Sequence, residues 1–142
     1  MHPDLSDRLI EAFPHLYRRQ EGPKGSAGSS TPYAFECGDG WFDLLWWLSG
    51  QLEALIAALP EGEQINYVPG TIKEKWGTLR VYLWHETPEM HHVVRLAEQR
   101  SGHICEECGA SGSLKSFHGI AMTRCPVHIP VRSQPQESGN PG

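Results

Sequence analysis

Four residues near the C-terminal end constrain this chain more than any of its hydrophobic patterns. Cys105-Glu106-Glu107-Cys108 and Cys125-Pro126-Val127-His128 are two pairs of soft ligands, and sixteen residues separate the pairs. Two intervening residues let a tight turn aim both side chains of a pair at one point. A second pair then closes a tetrahedron of three thiolates and one imidazole, the coordination a structural zinc ion takes. With four protein ligands the shell has no position for water, so the expected role is one structural Zn2+ that holds the end of the chain together. Two disulfides would leave the position of His128 unexplained. Gly109 directly follows the first pair, where the turn favours positive φ. His103 and His118 are rivals to His128 for the fourth position, although either would break the symmetry of the spacings. Cys37, in Cys37-Gly38-Asp39-Gly40, is far away and reads as a partly buried free thiol.

The 142 residues, 39% of them hydrophobic, fit one domain with a metal-stapled appendage. The formal charge of −5 repels nucleic acid at long range, so any such contact must come from a local patch. Met1-His2-Pro3-Asp4 is not a basic segment leading into an apolar one. No apolar run approaches the roughly 18 to 20 residues of a membrane span. The expectation is a protein of a reducing, cytoplasmic compartment with no membrane partner.

Leu5, Leu9, Ile10, Phe13 and Leu16 recur at helical spacing and predict a helix from Asp4 to about Tyr17, with Pro14 marking an early end or a kink. Residues 21–34 are rich in turn formers and read as a flexible loop. Trp41, Leu45, Leu48, Leu52, Leu55 and Leu59 form the seam of a long helix that Pro60 ends, with Asp39 or Asp43 as its cap. Phe42, Trp46, Ile56 and Trp47 lie off that seam. The helix is therefore either buried on two sides or presents Trp46 and Trp47 to a partner.

From Gln64 to Trp84 the pattern is that of extended chain, with a Trp76-Gly77 hairpin turn. An even loop length sets Lys73 opposite Arg80 and Thr71 opposite Tyr82. One face then carries Lys73, Lys75, Arg80, Tyr82 and Trp84, and the core face carries Ile72, Glu74, Leu79, Val81 and Leu83. Thr87-Pro88-Glu89 starts a last helix and Ser101-Gly102 stops it, with His91 and His92 on its wet side. The fold class is α+β: two to three helices on a short antiparallel hairpin or sheet, with a C-terminal ribbon- or treble-clef-like zinc module. Residues 1–102 form the core, 103–129 the zinc module packed on it, and 130–142 a disordered tail.

Phe35-Glu36-Cys37-Gly38-Asp39-Gly40-Trp41-Phe42-Asp43, Ile72-Lys73-Glu74-Lys75-Trp76-Gly77-Thr78-Leu79-Arg80-Val81-Tyr82, Ala97-Glu98, Cys105-Glu106-Glu107-Cys108-Gly109, and Thr123-Arg124-Cys125 with His128 follow one another along the chain. Together these segments resemble a family of small uncharacterised proteins of bacteriophages, prophages and their bacterial hosts. The resemblance runs from about Leu5 to His128. It implies a mobile-element setting, a bacterial cytoplasm and a zinc ion, and it carries no activity with it.

Three functions compete. A closed metal shell, an acidic balance and surplus aromatics favour a non-enzymatic accessory protein that binds a host or phage protein, such as a defence or replication component. Lys73, Lys75, Arg80, Tyr82 and Trp84 offer a second, weaker reading as a nucleic-acid surface, with about three phosphate contacts. A metal-dependent nuclease with His118 as general base is the third, and Phe117-His118-Gly119 has no adjacent carboxylate to support it.

Overall fold

The computed structural model describes residues 1–18 and 33–131. The predicted loop falls mostly on residues 19–32 and the predicted tail on residues 132–142, both outside the described residues. Helix α1 spans Pro3–Ala12, α2 Phe42–Ala57, α3 Glu61–Gln64 and α4 Pro88–Ser101. Strands β1 Phe35–Glu36, β2 Pro69–Lys75 and β3 Thr78–Leu83 make one sheet in the order β1-β2-β3, and β4 Ser113–Phe117 pairs with β5 Ile120–Arg124 in a separate ribbon. The architecture is α+β, as expected. None of the described helices is long and apolar enough to cross a membrane.

Helix α2 is the centre of the core. Trp41, Leu45, Leu48 and Leu52 of the predicted seam are buried, and so are Leu44 and Ile56 off it. It is therefore covered on two sides, by α1 and by α4. Phe13 of the turn after α1 meets the Trp46 ring edge-on at 4.9 Å, and Arg100 of α4 lies 4.2 Å from the centre of the Trp47 ring. Removing a side chain such as Leu45, which is fully buried, would cost about 2–5 kcal/mol.

Three local expectations need correction. Helix α1 stops at Ala12, five residues before Tyr17, because Pro14 pushes Phe13 out of the helical region, to φ −127° and ψ 70°. Neither Asp39 nor Asp43 caps α2 with its side chain. Asp39 instead opens a short 3-10 turn, Asp39–Trp41, and its carboxylate accepts the His2 N–H at 2.7 Å. The extended run begins at Pro69 and not at Gln64, because Glu61–Gln64 forms a single helical turn. Gln64 is buried there, and its amide donates to the carbonyl oxygen of Leu59 at 2.9 Å, satisfying the chain end of α2. Strand β1, which runs parallel to β2, has no counterpart among the sequence expectations. Two residues are too few to show a period.

The hairpin has the predicted parity, with Lys73 opposite Arg80 and Thr71 opposite Tyr82. Both turn residues take positive φ, Trp76 at 56° and Gly77 at 85°, as the tightest hairpin turns require. Glu74 is the one polar residue on the core face. Its carboxylate accepts the Gly77 N–H at 2.7 Å and fixes the turn. Ile72, Leu79 and Val81 bury against the helices. At the free edge of β3, Ser101 Oγ accepts the Leu79 N–H at 2.8 Å and the Glu98 carboxylate accepts that of Val81 at 3.2 Å, so α4 closes that edge.

Candidate metal centre

Cys105 follows the end of α4, Cys108 lies three residues on, and just after β5 Cys125 precedes a 3-10 turn, Pro126–His128, of which His128 is the last residue. Two chain reversals bring the pairs together. Gly109, at φ 81°, lets its N–H reach the Cys105 carbonyl at 2.9 Å, and the His128 N–H does the same to Cys125 at 3.0 Å. The β4–β5 ribbon, Ser113–Arg124, takes up most of the intervening chain, with His118 and Gly119 in its turn.

The four ligand atoms all lie within 4.8 Å of one another. Cys108 Sγ is 3.7 Å from Cys125 Sγ, and His128 Nδ1 is 3.2 Å from Cys125 Sγ and 3.8 Å from Cys105 Sγ. A tetrahedron of metal–sulfur bonds near 2.3 Å has edges of about 3.8 Å, so the set fits one four-coordinate ion. The Cys125 thiol is drawn down to about 6: desolvation opposes its thiolate, but hydrogen bonds with the His128 ring, the Val127 N–H and Cys108 outweigh that. Cys108 accepts the Ala110 N–H, which favours its thiolate, yet desolvation and the neighbouring Cys125 and Cys105 hold it above its ordinary value. A cation among the four atoms favours the thiolate forms, since these ligands bind metal deprotonated. Of the rivals for the fourth position, His103 is exposed beyond α4 and His118 is exposed at the far turn of the ribbon. Among the described residues this is the one group of three or more candidate ligands.

The seat of this centre was not visible in the sequence. Gly40 donates its N–H to the Glu106 carbonyl at 2.7 Å, and Gly38 donates to the Glu106 carboxylate at 2.9 Å. A methyl group on Gly40 would overlap the Cys105 carbonyl oxygen, and one on Gly38 would overlap that of Glu106. Trp41, fully buried, donates its Nε1–H to the Ile104 carbonyl at 2.9 Å. The Gly38-Asp39-Gly40-Trp41 segment is thus the surface on which the first ligand pair rests. Its two glycines flanking one residue were the signal available. The hairpin turn is the second support: Thr123 Oγ1, buried, donates to the Gly77 carbonyl at 2.7 Å. Arg124 then reaches Glu106 at 3.4 Å and Glu107 at 3.6 Å, tying the second strand of the ribbon to the first ligand pair.

The other sequence candidates fall in two places. Lys73, Lys75, Tyr82 and Trp84 are on or beside the outer face of the sheet, and Arg80, on the same face of β3, also stands beside α4. Trp84 is 70% exposed, Trp76 at the turn 73% and Tyr82 45%. Trp46 and Trp47 belong instead to α2, where Phe13 and Arg100 lie against their rings; Trp46 nevertheless stays 40% exposed, on a helix and not on the sheet surface. Cys37 is buried, and burial pushes its thiol up to about 12. Comparison of the chain with protein-family models, with curated proteins and with solved structures finds no match in any of the three.

Proposed function

We propose that this is a non-enzymatic accessory protein, stabilised by one structural zinc ion, that binds a host or phage protein through the outer face of its three-stranded sheet. The exposure of Trp76, Tyr82 and Trp84 beside Lys73, Lys75 and Arg80 carries the proposal. Large aromatic side chains left in water on a small protein mark an interaction surface, and Trp, Tyr and Arg are the residues that dominate binding energy at such surfaces. Zinc is the ion assigned because three thiolates and an imidazole at tetrahedral spacing suit a soft, redox-inert cation. The donor set completes the shell, so the ion is assigned a structural role and no residue a catalytic one. The phage or mobile-element setting rests on the family resemblance alone.

The test is a pull-down from nuclease-treated bacterial lysate with the zinc-loaded chain and a Trp76→Ala/Trp84→Ala variant. A protein retained by the wild type and lost by the variant, with metal content unchanged, is the expected result. Retention of nothing but nucleic acid from untreated lysate would overturn the proposal.

One observation favours the nucleic-acid alternative. Lys73 and Arg80 stand directly opposite each other, and neither has a carboxylate within ion-pair distance among the described residues. Like charges so placed are mildly unfavourable unless an anion arrives from outside. Two or three phosphate contacts on a chain of charge −5 would give weak, salt-sensitive binding, so this remains the second reading.

A further inference from the structure

Where β3, the C-terminal half of α4 and the start of β4 meet, they enclose an open groove of about 920 Å³. Arg80 and Thr78 form one wall, Arg95 and Gln99 the opposite wall, and Ser113 and Leu114 one end. Its charges are unbalanced. Arg80 uses Nη1 to donate to Thr78 Oγ1 at 2.5 Å and to the Leu79 carbonyl at 3.2 Å, which holds the side chain in place and, among the described residues, leaves Nη2 and Nε to donate elsewhere. Arg95 is exposed and has no carboxylate within 4.0 Å among the described residues. Glu98 is the one carboxylate in the lining, and it is engaged by the Val81 N–H.

We infer that this groove receives an acidic segment of the protein partner, with Arg80 and Arg95 each taking a side-chain carboxylate. The inference rests on the protein-binding function proposed above and adds the chemistry of the partner. Guanidinium groups pair with carboxylates through two parallel hydrogen bonds, and Arg80 is already oriented for one. Thr78, Gln99 and Ser113 supply neutral polar groups for a peptide backbone, and Leu114, 45% exposed, supplies an apolar contact. A nucleic acid fits less well, because the lining of the groove has no Phe, Tyr or Trp on which a base could stack. Arg80 also belongs to the outer sheet face, so groove and aromatic surface are one continuous site.

The experiment is fluorescence anisotropy on the full, metal-loaded chain with labelled octaglutamate, octaglutamine and an oligothymidylate of similar length. Octaglutamate should bind at least about tenfold more tightly than octaglutamine, and Arg80→Ala/Arg95→Ala should remove about tenfold or more of that binding. Arg8→Ala, at an exposed position of α1 outside both the groove and the sheet face, should change it by less than about threefold. Should the double arginine variant lose its metal or its thermal transition, Arg95→Glu alone, at an exposed helix position, must still abolish the preference for octaglutamate. Equal binding of the two peptides, indifference to these substitutions, or tighter binding of the oligothymidylate would each overturn the inference. A partner that is lost with Trp76→Ala/Trp84→Ala but retained by the arginine variants would sink the groove and leave the protein-binding function standing.

Discussion

The helix–sheet core and the C-terminal module are built on different physical principles. The core buries a continuous cluster of apolar side chains, from Leu9 and Leu16 through Trp41, Leu45 and Leu52 to Leu79, Met90 and Ala97. In the module, every residue of β4 is exposed or half-buried, and Thr123 is the one buried residue of β5. The buried cysteines Cys105 and Cys125 supply what little interior it has. We propose that an ion at the four ligands takes the place of a core there, since metal binding supplies folding free energy to a segment that cannot bury enough surface. The junction between the two regions follows the same economy. It consists of backbone carbonyls and amides at Gly38, Gly40, Gly77 and Glu106, a few side-chain hydrogen bonds and the Trp41 ring.

This contrast can be broken at several points. The largest effect is expected from Cys125→Ser. It should eliminate stoichiometric metal binding and, with it, metal-linked folding free energy on the order of 10 kcal/mol, unfolding residues 103–129 while the α2 and α4 helical signal in circular dichroism persists. A variant that keeps one tightly bound ion per chain would show that the module does not depend on that ligand.

The core has its own vulnerable point, at alkaline pH. Burial raises the Cys37 thiol from its ordinary 9 to about 12. The folded state therefore favours the neutral thiol, and the stability linked to that preference is fully present below about pH 9 and lost as pH rises toward about 12. Denaturant titrations across that range should show a steeper decline for the wild type than for Cys37→Ala. Equal declines would mean that Cys37 is not held neutral by the fold.

Gly40→Ala tests the junction itself. The added methyl meets fixed backbone of Cys105 and Glu106, so the expected loss is roughly 1–3 kcal/mol, toward the upper end because a carbonyl cannot rotate away as a side chain can. Gly62→Ala, where nothing lies within 4 Å, is the control and should be neutral or slightly stabilising. Similar thermal transitions for both variants would remove Gly40 from the account. The smallest effect is assigned to Thr123→Val, which leaves the Gly77 carbonyl without its buried donor and should cost about 1–2 kcal/mol in chemical denaturation.

What the sequence revealed follows the range over which each signal acts. The four ligands carry their geometry in their spacing, and the structure gathers them. The hairpin register followed from Trp76-Gly77 and strict alternation, and the α4 ends from Thr87-Pro88 and Ser101-Gly102, all of them local rules. The seat of the module did not follow, because Gly38 and Gly40 are glycines for the sake of Cys105 and Glu106, more than sixty residues away. Glu74 read as an anomaly for the same kind of reason: its partner is a turn amide, and no periodic pattern reports such a bond. Gln64 reads as the start of extended chain because its role, closing the end of a helix already finished, leaves no periodic mark. Arg80 and Arg95 could not be joined until β3 and α4 were placed side by side.

Hydrogen exchange on the metal-loaded chain, before and after removal of the ion by a chelator, tests the central claim most directly. The claim predicts one zinc ion per chain, fast exchange throughout residues 103–129 once it is removed, faster exchange at the Gly40 amide, and unchanged protection of the Leu44–Ile56 amides in α2. Protection of the module that survives complete metal removal, or a chain isolated without metal that already shows it, would contradict the claim that the ion takes the place of a core.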